Sequence, residues 1–438
     1  MYGLIINGGI IKIFLKTKNK LSVFITSLFI LLTSFAASST NLSIMMSADG
    51  PEVELMENLI SKYKSVDPSV NIEINLVGYN VIREQLPVQL EAGSGPDIGK
   101  ITDLGGLNPY YVDLTPYVDA AEWNKQYGGV LPWYRAGKPD GIFGFHNEMT
   151  VTGPYVNLSM FEEAGVEVPS AGATWDDWAD ATRQVMENTG SYAGMVMDRS
   201  GHRMAGPAMS YGAKYFDSNG NMIVDDGFKT FAQKMVDWHA EGLMPADIWP
   251  AVSGSKYANG NEMFFNQDVP FYMSGSWNVT NVMNSVGDSF EWTKVPVPCG
   301  PAGCGIMPGG SGFVAFNHSP NAEAAAKFVA WLGEYEQARE WYTYRMAIPA
   351  HAQIQAEGID YSEAGASEAV SNALNVFAAD AARAAKETPQ AYQLQGSKFG
   401  FVIYNATTQY LGGVMNGEYD LDTAIERIKS EIAEKTGQ

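Results

Sequence analysis

The chain has 438 residues, with 49 Asp and Glu against 28 Lys and Arg and a formal net charge of -21 at neutral pH. So large an acidic excess argues against binding nucleic-acid phosphates or an anionic membrane surface. Beyond any leader, roughly 400 residues exceed the ~250–300 that one hydrophobic core serves, so at least two lobes are expected.

Residues 1–38 read as an export signal. Lys12, Lys16, Lys18 and Lys20 precede the uncharged run 21–35, which ends in small residues at Ala36, Ala37 and Ser38. That run is shorter than the ~20 residues a spanning helix needs, so cleavage is expected in place of anchoring. Loss of the four Lys takes the net charge to -25, from 24 basic and 49 acidic residues. No Cys lies near the cleavage zone, so the exported chain is expected in the periplasm, soluble and without a lipid anchor.

The run 42–46 is apolar and precedes the polar break Ser47-Ala48-Asp49-Gly50-Pro51 and a helical pattern with Val53, Met56, Leu59, Ile60 and Tyr63 on one face. Val70, Ile72, Ile74 and Leu76 then alternate with polar residues, which predicts a second strand and a βαβ unit with a parallel sheet. Thr174 stands where a cap precedes a helix carrying Trp178, Ala181, Val185 and Met186. Asn219-Gly220 is a hairpin signal; Asp217-x-Asn219-x-Asn221 imitates a calcium loop, but Met222 occupies the position that needs Gly. The run Phe271-Tyr272-Met273 predicts a buried strand ending in an exposed loop at Ser276 to Asn278. Long helices are expected over 322–344 and 421–433, the latter with Leu421, Ala424, Ile425, Ile428 and Ile432 on one face. The only two cysteines, Cys299 and Cys304, bracket Gly-Pro-Ala-Gly. In an oxidising compartment a local disulfide is expected, and the loop is short enough to contribute only about 2 kcal/mol.

Catalytic motifs are missing: there is no Gly-x-Ser-x-Gly, His-Glu-x-x-His or P-loop pattern, and none of the five His pairs at ligand spacing. No metal or organic cofactor is implied. A carboxylate pair serving a glycan-active enzyme is the main catalytic alternative, because the required separation of ~5–10 Å is a property of the fold.

Several segments in order resemble the family 1 extracellular solute-binding proteins, the carbohydrate-binding components of ATP-binding-cassette importers. They are Gly95-Pro96-Asp97-Ile98, Tyr155 through Gly165, Thr174-Trp175, Met273 through Asn278, Gly309-Gly310-Ser311-Gly312 and Ile348-Pro349-Ala350. The resemblance implies two α/β lobes of the type II periplasmic binding protein fold, with the chain crossing a hinge three times near Thr150, Gly310 and Pro349. Lobe one is then 39–149 with 310–348, and lobe two 150–309 with 349–438. It also implies a monomer that closes on a sugar or small oligosaccharide and hands it to permease subunits in the inner membrane. The same fold binding a polyamine is the non-sugar alternative.

Sugars need aromatic plates for their C–H faces and planar polar groups for their hydroxyls. The resemblance places a stacking aromatic at Trp277, beside Asn278. It places polar contacts at Asp49, whose alternative is a helix cap, and at Asn147 and Glu148 before the first crossing. Asp103 matches a sugar-contacting region, although Ile101 and Thr102 stand where maltose-type relatives carry an aromatic. His202 and Arg203 read as part of a polar loop with Arg199, suited to an acidic sugar or to simple surface charge. Gly310 and Ser311 would bring bare backbone near the ligand. Arg345 either reaches the cleft or braces the last crossing, and Phe399 or Phe401 offers a second plate.

Overall fold

The computed structural model describes residues 39–136, 140–250 and 254–437, so the expected export signal lies outside the described residues. The chain opens as predicted, with β1 (Thr40–Met46), helix Glu52–Tyr63 and β2 (Val70–Leu76), the two strands pairing in parallel from Thr40↔Val70 to Met46↔Leu76. The helix stripe is rotated from the expected one: Leu55 is buried with Met56, Leu59 and Tyr63, while Val53 and Ile60 are half-buried. Glu52 shares the buried side because two cations there pair with its carboxylate.

Six further strands follow: β3 (Ile98–Ile101), β4 (Phe145–Asn157), β5 (Met195–Met197), β6 (Phe271–Gly275), β7 (Trp292–Lys294) and β8 (Pro308–Ala315). Their order is β2-β1-β3-β8-β4-β6-β5, with β7 also on β4. The long strand β4 joins two groups of strands. Its residues 145–151 pair with β8, and 152–156 pair with β6. The ladder slips between His146 and Glu148, which makes Asn147 the extra residue of a β-bulge. Met149 N–H donates to Ile348 O at 2.9 Å and Thr150 pairs with Gly309, so residues near 150, 309 and 348 lie side by side.

Local signals hold well. Thr174 and Asp177 form a reciprocal capping box on helix Trp175–Thr189, and the last helix, Leu421–Thr436, buries the five residues predicted from its periodicity. Cys299 and Cys304 are bridged. Asp217 accepts the N–H groups of Asn219 and Asn221, both at 2.8 Å, and Phe216 bridges to Met222, so this segment is a self-bonded turn. Among the described residues no group of three or more His, Cys, Asp or Glu is placed to hold a metal, and no helix is long and apolar enough to cross a membrane.

One expectation is corrected. The helix expected over 322–344 is two, Ala322–Leu332 and Tyr335–Arg345. A side chain at Gly333 would meet the Trp123 ring at 2.2 Å, and Tyr127 O–H donates to the Gly333 carbonyl at 2.8 Å, so tertiary packing breaks the helix. The stretch Gly309 to Gly312 lies within β8. Glycine is needed there because His146 and Tyr134 pack directly on the strand, and a Cβ at Gly310 or Gly312 would meet them at 2.2 and 1.9 Å.

Candidate functional site

The parallel strands β1, β2 and β3, and likewise β5 and β6, end at one crevice, the usual ligand position in open α/β sheets. A cavity of about 540 Å³ lies there, within the range of ligand pockets. Its wall includes Asp49, Tyr79, Arg83, Lys100, Glu148, His202, Arg203, Tyr257, Trp277, Asn278, Gly310, Ser311, Gln395, Phe401 and Tyr404.

Asp49, Glu148, His202, Arg203, Trp277, Asn278, Gly310 and Ser311 therefore come together from five sequence regions. The bulge at Asn147 aims Glu148 into the cavity, where Ser311 O–H donates to it at 3.0 Å. Asp49 does not cap the helix; its partly buried carboxylate lies 3.9 Å from Arg345 Nη2, and desolvation together with the nearby Glu52 pushes its pKa up.

Asp103, Asn147, Arg345 and Phe399 do not line the cavity. The Asp103 carboxylate accepts Gly106 N–H at 2.9 Å to close its own turn, and burial raises its pKa to about 6. Asn147 is fully buried, with its Oδ1 2.9 Å from Ser311 Oγ. Arg345 is fully buried beneath the floor, where its Nε donates to Glu52 at 2.6 Å and its Nη2 to the Trp277 carbonyl at 3.0 Å and to Glu148 at 3.4 Å. Its donors are spent on these buried partners. Phe399 precedes helix Gly400–Met415 with the Lys398 ammonium over its ring, and Phe401 is the aromatic that faces the cavity.

Sequence reasoning missed the charged floor. Lys100 Nζ donates to both Glu52 oxygens at 2.7 and 2.5 Å, and Glu52 is completely buried. Burial alone would raise the Glu52 pKa, but Lys100 and Arg345 outweigh it and hold it below the usual carboxylate range. A usable signal existed: Lys100 stands inside the otherwise apolar strand Ile98–Ile101, and a buried Lys requires a partner.

His202 and Arg203 begin helix Gly201–Ser210, not a loop. Arg203 is fixed by Asp198 at 3.4 Å and by His202 Nδ1 at 2.8 Å, and its guanidinium lies 3.8 Å from the Trp277 ring centroid. Because Arg203 is a donor only, His202 Nδ1 accepts and Nε2–H donates to Pro308 O at 3.1 Å. Burial and the Arg203 charge hold the His202 pKa down to about 3, so the ring is neutral at physiological pH. Arg203 covers one face of Trp277, leaving at most the other for a sugar ring. Arg199 is spent elsewhere, donating to the carbonyls of Trp249, Ser255 and Thr408. The exposed loop expected at Ser276 to Asn278 is a tight turn with Ser276 and Asn278 buried.

His146, bonded through Nδ1 to the Tyr134 hydroxyl at 2.9 Å, supports β8 from behind. Burial depresses its pKa from 6.5 to about 3. As pH falls from about 6.5 the unfolded chain gains a proton that the folded protein refuses, so stability is lost across that window. At pH 4.5 this amounts to about 2.7 kcal/mol, two pH units at ~1.36 kcal/mol each. Denaturant unfolding at pH 7 and 4.5 should therefore show His146→Gln losing about 2–3 kcal/mol less than the parent protein; equal losses would exclude this role.

Residues 48–339, most of the chain, match the family model of the bacterial extracellular solute-binding proteins. The chain belongs to this family. An arabinooligosaccharide-binding protein of Bacillus subtilis (strain 168) is 23% identical over 300 residues, covering 65% of this chain and 66% of that protein's own length. An ABC substrate-binding protein from Listeria monocytogenes in complex with cycloalternan superposes with a TM-score of 0.73 at 16% identity, covering 91% of this chain and 99% of the other. A maltose-bound protein of T. maritima gives a TM-score of 0.68 at 17% identity, covering 90% and 99%. At such identities the likeness concerns the fold, which is the mixed α/β fold of the sugar-binding proteins.

Proposed function

We propose that this solute-binding protein captures a neutral sugar or oligosaccharide in the cavity and delivers it to an ABC importer. The observation that carries the reading is one wall that combines the aromatic residues Tyr79, Tyr257, Trp277, Phe401 and Tyr404 with charges of both signs, most of them already paired. Paired charges present fixed donors and acceptors to hydroxyls without demanding a net charge on the ligand. The cations Arg83, Lys100 and Arg203 disfavour a polyamine, and the spending of Arg199 on carbonyls weakens the case for an acidic sugar. Glu148, tied to Arg345 and Ser311, is poorly suited to act as a catalytic acid.

The names of the relatives, arabinooligosaccharide-binding and maltose-bound among them, support the same class. The adjoining segments near 150, 309 and 348 support a hinge between lobes 39–149 with 310–348 and 150–309 with 349–438. The delivery reading adds a periplasmic location, a monomeric state and docking on permease subunits. A thermal-shift screen against arabinotriose, maltotriose, mannotriose, galacturonate and spermidine tests the class. A neutral saccharide at 100 times its dissociation constant should add about 2.7 kcal/mol of stability, whereas a response to spermidine alone would overturn the proposal.

A further inference from the structure

Helix Tyr79–Glu84 follows β2 and faces residues far along the chain, beyond the second half of β4. Arg83 Nη1 donates to the Lys256 carbonyl at 2.9 Å, its Nη2 donates to Asn405 Oδ1, and its guanidinium lies 5.0 Å from the Phe401 ring centroid. One turn earlier, Asn80 Nδ2 donates to Ser255 Oγ and to the Tyr257 carbonyl, both at 3.3 Å, and the Tyr79 ring meets Tyr257 edge-on at 5.2 Å. These contacts join the two proposed lobes directly.

We infer that Arg83 is a positioning residue that braces the closed cleft and sets how fast the ligand leaves. The inference rests on the two-lobe capture reading. Among the described residues Arg83 forms no ion pair; its acceptors are a carbonyl and an amide, weaker partners than a carboxylate. A brace made from neutral acceptors holds the cleft shut and still lets it open. Ligand enclosed by both sides leaves only after opening, so these contacts add to the barrier for release. They also hold part of the unliganded protein shut, and only the open part admits ligand, so their loss speeds association as well, but by less than it speeds release.

The test combines X-ray scattering of the unliganded protein with stopped-flow binding of arabinotriose, maltotriose and mannotriose. Arg83→Ala should enlarge the unliganded radius of gyration and speed trisaccharide release by about ten- to a hundredfold, with association raised by less than about threefold. Asn405→Asp, which supplies a carboxylate, should slow release. A merely structural role for Arg83 would not produce opposite changes in the two variants. If a trisaccharide binds and Arg83→Ala releases it at the parent rate, the brace is overturned while the sugar reading stands. If no trisaccharide binds but Arg83→Ala expands the protein, the brace stands and the sugar reading is overturned.

Discussion

Replacing Arg345 with methionine is expected to remove about 3–5 kcal/mol of folding stability at pH 7, the range for breaking a buried ion pair from one side. Arg345 is fully buried and contacts Glu52 at 2.6 Å, Glu148 at 3.4 Å and Asp49 at 3.9 Å. Without it Lys100 alone faces three carboxylates. Two of these are almost wholly enclosed, so bulk water cannot replace the lost charge. The stranded Glu52 carboxyl should then favour the protonated state, raising its pKa in the folded variant. The deficit relative to the parent protein should therefore shrink as pH falls below about 6. Urea unfolding at pH 7 and 5 checks both claims, and a loss under about 1 kcal/mol at pH 7 would show that the cluster is not a buried network. The substitution should also weaken saccharide binding, because Arg345 Nη2 holds the Trp277 carbonyl.

Trp277→Ala is expected to weaken binding of the best saccharide by about a hundredfold, or about 2.7 kcal/mol. The indole lies against Gly275, where any Cβ would meet the ring at 1.9 Å, and carries the Arg203 guanidinium on one face. Its removal deletes an aromatic surface and also frees Arg203 from its stacked position, so two contacts to the ligand weaken together. Trp277→Phe keeps a plate and should recover roughly a tenth or more of the affinity. Titration calorimetry with the sugar found in the screen measures both variants. Binding by Trp277→Ala within about threefold of the parent would shift the stacking role to Tyr257, Phe401 or Tyr404.

The two substitutions bear on different parts of one construction. The Lys100–Glu52–Arg345 cluster ties the start of helix Glu52–Tyr63 to β3, to Glu148 within β4 and to the turn after β6, so it fixes where the cavity wall stands. Asp198 performs the matching task for the segment after β5. It accepts from Tyr272 at 2.7 Å, Ser274 at 2.9 Å and Gly260 N–H at 3.1 Å, and through Arg203 it orients the stack on Trp277. Both carboxylates are inaccessible to solvent, so each acts on the ligand only through the residues it holds.

Features set by neighbours in the chain were legible from the sequence. The opening βαβ unit, the Thr174 cap, the five-residue stripe of the last helix and the closure of Cys299 on Cys304 all depend on residues a few positions apart. Ordered motifs along the chain were enough for the family, and eight of the twelve expected site residues reach the cavity because loops at strand ends are placed by the sheet. Which polar side chain turns inward was decided only by tertiary structure. Asp103 closes its own turn while Arg83 crosses to Asn405, 322 positions away, and Arg345 reaches back 293 positions to Glu52. A buried charge goes wherever a partner is available to offset its desolvation. In this protein those partners lie on other elements, and only packing of the strands brings them within hydrogen-bonding distance.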